Sequence, residues 1–91
     1  MSLFPERAYS ERLSLANRLQ QAMEFWDRQA DDMQWRILNN PVDALSNWMD
    51  VYRRSRENAQ ILREWIRELD VDDRELRAFG LAYYERLKRS L

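Results

Sequence analysis

The sequence predicts an all-α protein: an antiparallel hairpin of two long helices with a shorter third helix packed against it. The chain has one glycine and two prolines in 91 residues, fewer than a sheet with its turns normally requires. Apolar residues alternate at spacings of three and four along two long stretches, which is typical of helices sharing a seam. A helix-start motif, VDDREL, precedes a third amphipathic stretch. We expect a single domain covering residues 1–91.

The two long helices are predicted over residues 5–38 and 41–69. In the first helix the seam positions are Ala16, Leu19, Met23, Trp26, Ala30, Met33 and Ile37. In the second they are Leu45, Trp48, Tyr52, Ser55, Ala59, Leu62, Ile66 and Leu69. Each helix is about 45 Å long at 1.5 Å per residue. Two helices of matched length with a very short connection favour an antiparallel hairpin.

The connection carries its own start signals. Asn40 is a favoured N-cap residue, Pro41 suits the first helical position, and Asp43 places a negative charge in the first turn. Proline also disfavours helical geometry in the residue before it, so the first helix should end near Asn39. A continuous helix kinked at Pro41 is the alternative. We prefer the hairpin, because consecutive asparagines followed by proline make a poor helix interior.

The third helix is predicted over residues 72–89. Asp72 and Glu75 have the spacing of a capping box, and Val71 and Leu76 that of a hydrophobic staple. Its apolar stripe consists of Leu76, Phe79, Tyr83 and Leu87. Gly80 falls inside this helix, where it costs about 1 kcal/mol relative to alanine. We therefore expect another helix to pack closely against Gly80.

Composition excludes several kinds of chemistry. The chain has no cysteine and no histidine, so the common nucleophile–base pairs and the zinc or di-iron sites of helical bundles lack their residues. A single glycine cannot build a phosphate-binding loop. Carboxylates do cluster at Asp27, Asp31 and Asp32, but Arg28 and Arg36 lie beside them. A salt-bridged surface is therefore expected rather than a cation site, and we predict no cofactor and no metal.

Two functional alternatives remain open. A small helical enzyme could use arginine and glutamate alone for electrostatic stabilisation, as chorismate mutases of about this length do. The isoleucine–aspartate pairing of their first helix is missing here, however, and the one lysine, Lys88, lies far along the chain. Nucleic-acid binding is the second alternative, through Arg53, Arg54 and Arg56. The net charge of −1 and the acidic residues interspersed along the same helix disfavour it.

The predicted interaction surface comes from apolar residues that the helix seams do not use. A third helix of about 27 Å cannot cover a hairpin of about 45 Å, so these residues need a second copy of the chain or another partner. The surface consists of Phe25, Trp35, Val51, Ile61 and Trp65, with Trp48 near the tip of the hairpin. We predict a non-catalytic interaction protein that forms homo-oligomers or binds a protein or a hydrophobic polymer.

A family resemblance agrees with this prediction. Residues 20–69, and above all NNPVDALSNWMDVYRRSRENAQILREWIREL, resemble the phasins, helical proteins that coat polyhydroxyalkanoate granules. The shared layout is a long amphipathic helix, a break of the type Asx-Pro-x-Asp, and a second helix with aromatic and small residues. The resemblance implies amphipathic helices presented to a hydrophobic polymer. No apolar run approaches the roughly 18 residues of a membrane span, and no signal-peptide core is seen, so a cytoplasmic location is expected.

Overall fold

The computed structural model describes residues 8–40 and 46–90. It contains three helices within these ranges: α1 (Tyr9–Asn39), α2 (Ser46–Glu68) and α3 (Asp73–Arg89). No strand occurs in the described part of the chain. The predicted all-α fold, with a long helix pair and a shorter third helix, is confirmed.

The helices α1 and α2 form the antiparallel hairpin. Asp27 in the middle of α1 contacts both Arg56 and Arg63 of α2, a pairing that a single kinked rod would not allow. The end of α1 is closed by two asparagines, whose side-chain amides donate to main-chain carbonyls one turn back. Asn40 thus serves the end of α1, with its main-chain N–H bonded to the Arg36 carbonyl. Pro41 and Asp43, the other predicted start signals, lie outside the described residues.

Small residues line the middle of the hairpin seam. Ala30 on α1 and Ser55 and Ala59 on α2 are almost fully buried, and short side chains at a contact allow two helix axes to approach closely. The buried Ser55 hydroxyl donates to the Val51 carbonyl at 2.7 Å. This bond satisfies the only polar group of the Ser55 side chain, so its burial leaves no unpaired hydroxyl.

All three helices meet at the open end of the hairpin. The core there contains the buried residues Ala16, Leu69 and Leu76, and the half-buried residues around it are Leu13, Leu15, Leu19, Ile66 and Val71. Asp70 turns the chain between α2 and α3 with a positive φ of 51°, a conformation that aspartate tolerates better than most residues. The guanidinium of Arg12 donates to the Leu69 carbonyl at 2.8 Å and to the Asp70 carbonyl at 3.1 Å. Arg12 therefore satisfies main-chain acceptors that the end of α2 leaves open.

The start of α3 is capped by Asp72 as predicted, but one hydrogen bond of the predicted capping box has a different partner. The Asp72 carboxylate accepts hydrogen bonds from the main-chain N–H groups of Arg74 and Glu75 at 2.9 and 3.1 Å. In a capping box the Asp72 amide would donate to the Glu75 side chain; here it donates to the phenolic oxygen of Tyr9 at 3.1 Å. Tyr9 thereby joins the first turn of α1 to the start of α3.

Gly80 marks a close approach of α3 to α1. A Cβ atom at Gly80 would stand 3.2 Å from Oδ1 of the buried Asn17, so the predicted close helix packing at this glycine is present. Beyond it, every residue from Leu81 to Ser90 is exposed. The second half of α3 therefore diverges from the hairpin, and the molecule is broad and thin, measuring 51 × 40 × 19 Å.

Candidate interaction surface

One flank of the hairpin carries ion pairs between α1 and α2. Arg63 lies 3.2 Å from one Asp27 oxygen, and Arg56 lies 3.8 Å from the other. Arg56 also approaches Asp31 at 3.6 Å. These groups are largely open to solvent, where such pairs contribute about 0–1 kcal/mol each. Their main structural value is to fix which residues of α1 lie opposite which residues of α2.

The arginines of the nucleic-acid hypothesis are mostly occupied within the fold. Arg53 contacts Asp50 at 2.8 Å. The pKa of Arg56 is raised by the hydrogen bond with the Tyr52 hydroxyl, and by the charges of two aspartates on α1. Its guanidinium also lies 5.5 Å from the centre of the Tyr52 ring. These contacts engage Arg53 and Arg56 within the fold, while their side chains stay 67% and 47% exposed.

The opposite flank carries three exposed apolar side chains, with the half-buried polar residues Gln29 and Asn58 beside them. With Asp27 level with residues 56–63 of α2, the antiparallel register places Phe25 at the level of Ile61. At about 100° per residue, Phe25 projects from the side of α1 remote from Asp27, and Ile61 and Trp65 project from the side of α2 remote from Arg63. We call this surface, made of Phe25, Ile61 and Trp65, the apolar flank.

Large fractions of these three side chains contact water. Phe25 is 52% exposed, Ile61 45% and Trp65 39%. The Phe25 ring is held in place by an edge-to-face contact with Trp26, with 5.1 Å between ring centroids. Such a contact restricts the orientation of the Phe25 ring.

Charged residues bound the apolar flank at both ends. The Asp32–Arg36 ion pair, at 3.1 Å, lies toward the tip of the hairpin. Exposed Arg18 and Glu68 lie toward its open end, by the same register. An apolar centre with a polar rim is the usual organisation of a protein interface.

The structure separates the residues of the predicted surface into three locations. Phe25, Ile61 and Trp65 lie together on the apolar flank. Val51 is half-buried on the same side, nearer the tip, and Trp48 is half-buried on the seam. Trp35 is 63% exposed, but it points directly away from the seam, about 80° around α1 from Phe25.

A second apolar surface was not among the predicted residues. Leu81, Tyr83, Tyr84 and Leu87 are exposed by between 38% and 67% on the diverging half of α3. Together with α1 they line an open cleft of about 860 Å³. The sequence places Tyr83 and Leu87 on the apolar stripe of α3, but periodicity identifies an apolar helix face and not whether a neighbour reaches it.

The arrangement of arginine bears on the enzyme alternative. Among the described arginines only Arg12 is half-buried, and its guanidinium is bonded to main-chain carbonyls of the junction between α2 and α3. The other described arginines are exposed. In the described ranges we find no group of three or more acidic residues placed to hold a metal ion. Nor is any described helix both long and apolar enough to cross a bilayer.

Within residues 8–40 and 46–90, the apolar flank and the α3 cleft are therefore two surfaces with features of a binding site. No protein-family model, no curated protein and no solved structure matches the chain.

Proposed function

We propose that this protein is a non-catalytic helical binding protein whose apolar flank attaches to a hydrophobic surface, in the manner of the phasins it resembles. The observation that carries the proposal is the grouping of Phe25, Ile61 and Trp65 on one side of the hairpin, each 39–52% exposed. Isolated exposed apolar residues are normal on soluble proteins. Two at the same level of a two-helix face, with a third one turn along and charged residues at both ends, form a candidate docking surface.

The expected strength of binding indicates the kind of target. The three half-exposed side chains offer roughly 250 Å² of apolar area, since an aromatic side chain buries about 150–250 Å² in full. At about 25 cal/mol per Å² this area contributes about 6 kcal/mol, which is similar to the cost of immobilising one protein on another. A single copy should therefore bind weakly. A broad polymer surface, on which many copies adsorb, suits such a flank better than a tight one-to-one complex.

The shape of the hairpin supports the same target. The molecule is only 19 Å thick along its shortest axis, and the seam is held close by Ala30, Ser55 and Ala59. A thin, straight helix pair can lie flat against a surface and expose its ion-paired flank to water. The interhelical ion pairs then remain solvated while the apolar flank is covered, so attachment does not bury those charges.

The test is binding to amorphous polyhydroxybutyrate particles, measured by co-sedimentation of the full chain. Phe25→Gln and Trp65→Gln should each weaken binding about sixtyfold, because each removes roughly 100 Å² of apolar contact, or about 2.5 kcal/mol. Trp35→Gln is the matched control. It removes an equally large, more exposed aromatic residue from a different face, and binding should stay within about twofold of wild type.

Circular dichroism and thermal melting of each variant establish that the hairpin still folds. The proposal is wrong if the wild-type chain leaves the particles in the supernatant, or if Trp35→Gln weakens binding as much as Trp65→Gln does. If Trp65→Gln loses helicity, the test rests on Phe25→Gln, because the Phe25 side chain is more exposed than that of Trp65.

A further inference from the structure

We propose that the diverging half of α3 is a self-association site, which binds the α3 helix of a second copy in antiparallel orientation. This inference is independent of the proposed function, because Phe25, Ile61 and Trp65 do not line the cleft. The helix α3 packs closely against α1 at Gly80, and residues 81–90 are all classed as exposed. Its apolar residues therefore have no cover within the described part of the chain.

The two walls of the cleft differ in chemistry. The α3 wall is apolar and aromatic, with Leu81 67% exposed, Tyr84 57% and Leu87 47%. The α1 wall is polar and carries both signs of charge, in Glu24 and Arg28. A flat hydrophobic polymer cannot enter an open V-shaped cleft and satisfy a charged wall. An amphipathic helix with charges along one edge can do both.

The charge distribution of α3 makes it complementary to itself. Its first turn contains Asp73 and Glu75, next to the N-cap Asp72, and its last turn contains Arg86, Lys88 and Arg89. An antiparallel pair of α3 helices brings the acidic start of each one to the basic end of the other, and it opposes their helix dipoles favourably. A parallel pair would bring like charges together at both ends. The self-complementary arrangement is the one that a twofold dimer requires.

A specific register follows when the twofold axis passes between Gly80 and Leu81. Each Asp73 then faces Lys88 of the second copy, and each Arg77 faces its Tyr84. The two Leu81 side chains then lie beside the axis, since Gly80 itself is turned toward Asn17 of α1. Five of these residues line the cleft, namely Asp73, Arg77, Gly80, Leu81 and Tyr84. All six fall within an arc of about 100° around α3, so one helix face can make every contact.

The Lys88 ammonium already has a defined position. It lies 5.1 Å from the centre of the Tyr84 ring, on the side of α3 that this register turns toward the second copy. Cation–π contacts of this kind become stronger when water is excluded. Closing the dimer therefore strengthens an existing contact and adds the Asp73–Lys88 pair twice.

Sedimentation equilibrium of the full chain, from about 1 to 200 µM, measures the association directly. We expect a monomer–dimer equilibrium for the wild-type chain. Leu81→Gln and Tyr84→Gln should each raise the dimer dissociation constant at least about tenfold, since every change occurs twice in the interface. Leu38→Gln is the matched control, because Leu38 is 71% exposed on α1 outside the cleft, and it should leave the dimer unchanged.

The orientation is tested by charge exchange. Lys88→Glu and Asp73→Lys should each weaken the dimer, and the double variant should recover most of the wild-type affinity, because the pair is restored with reversed polarity. A wild-type chain that stays monomeric throughout the concentration range overturns the proposal. So does a dimer that survives Leu81→Gln but is lost in Trp65→Gln, or a double variant without recovery. Particle binding is measured separately, so failure of either proposal is recognisable by itself.

Discussion

Leu69 is the residue on which the meeting of the three helices most depends. It is 1% exposed and belongs to the core cluster with Ala16 and Leu76. Replacing a fully buried leucine by alanine costs about 2–5 kcal/mol, through lost transfer free energy and the cavity left behind. We expect about 3 kcal/mol for Leu69→Ala. The structure can relax only partly, because the Leu69 carbonyl is held by Arg12 at 2.8 Å.

This loss is large for a chain of 91 residues, whose whole stability should be about 5–14 kcal/mol. Urea denaturation followed by circular dichroism should show the midpoint of Leu69→Ala well below that of wild type, with a melting temperature lower by about 12–20 °C. Leu38→Ala is the control, since Leu38 is 71% exposed, and it should change stability by less than about 0.5 kcal/mol. Equal losses in the two variants would show that the three helices do not depend on the core around Leu69.

Three further outcomes follow from individual contacts. Gly80→Val should lower the free energy of unfolding by about 1–3 kcal/mol, because its side chain would meet Asn17; a neutral effect in urea denaturation would mean that α3 does not dock there. Arg12→Met should lower the free energy of unfolding by about 1–2 kcal/mol, because it removes two hydrogen bonds to main-chain carbonyls. Arg12→Lys should lower it by less, because lysine can still donate to one of them. Equal losses of stability in the two variants would refute the role of the paired donors. The hydrogen bond from the Asp72 amide lowers the pKa of Tyr9, but the hydrogen bond with Glu75 and partial burial outweigh it and raise the pKa above its ordinary value of 10.0. Folding therefore favours the neutral phenol, so stability should fall as pH rises above 10, and the fall should be smaller in Tyr9→Phe; identical alkaline denaturation curves would contradict this.

The helix pair could be predicted because its signals are local and periodic. Alternating spacings of three and four define a seam without knowledge of the partner, and the buried residues Met23, Ala30 and Ala59 all come from the predicted seams. The Asp72 cap could be predicted for the same reason, because its hydrogen bonds reach only two and three residues along the chain. The Tyr9 contact with Asp72 spans 63 residues, and no local pattern indicates it.

The candidate surface was predictable only in part. The off-seam positions of Phe25, Ile61 and Trp65 were visible in the sequence, but their placement on one flank depends on the register between α1 and α2. That register is shown by the cross-helix contacts of Asp27. Trp35 met the same off-seam criterion and points elsewhere. The exposure of Tyr84 depends on the direction in which α3 leaves the hairpin, which is a property of three-dimensional packing.

The bond between Arg12 and the Leu69 carbonyl has a consequence for the order of folding. It joins residues 57 positions apart, so this hydrogen bond cannot form until the hairpin has closed over its full length. Helices can form in less than a microsecond, but a contact of this sequence separation must wait for a large loop to close. The platform that receives α3, with Leu13 and Ala16 on one side and Leu69 on the other, is therefore assembled only after both long helices have formed. During synthesis α3 leaves the ribosome after both long helices, when its docking site can already be complete.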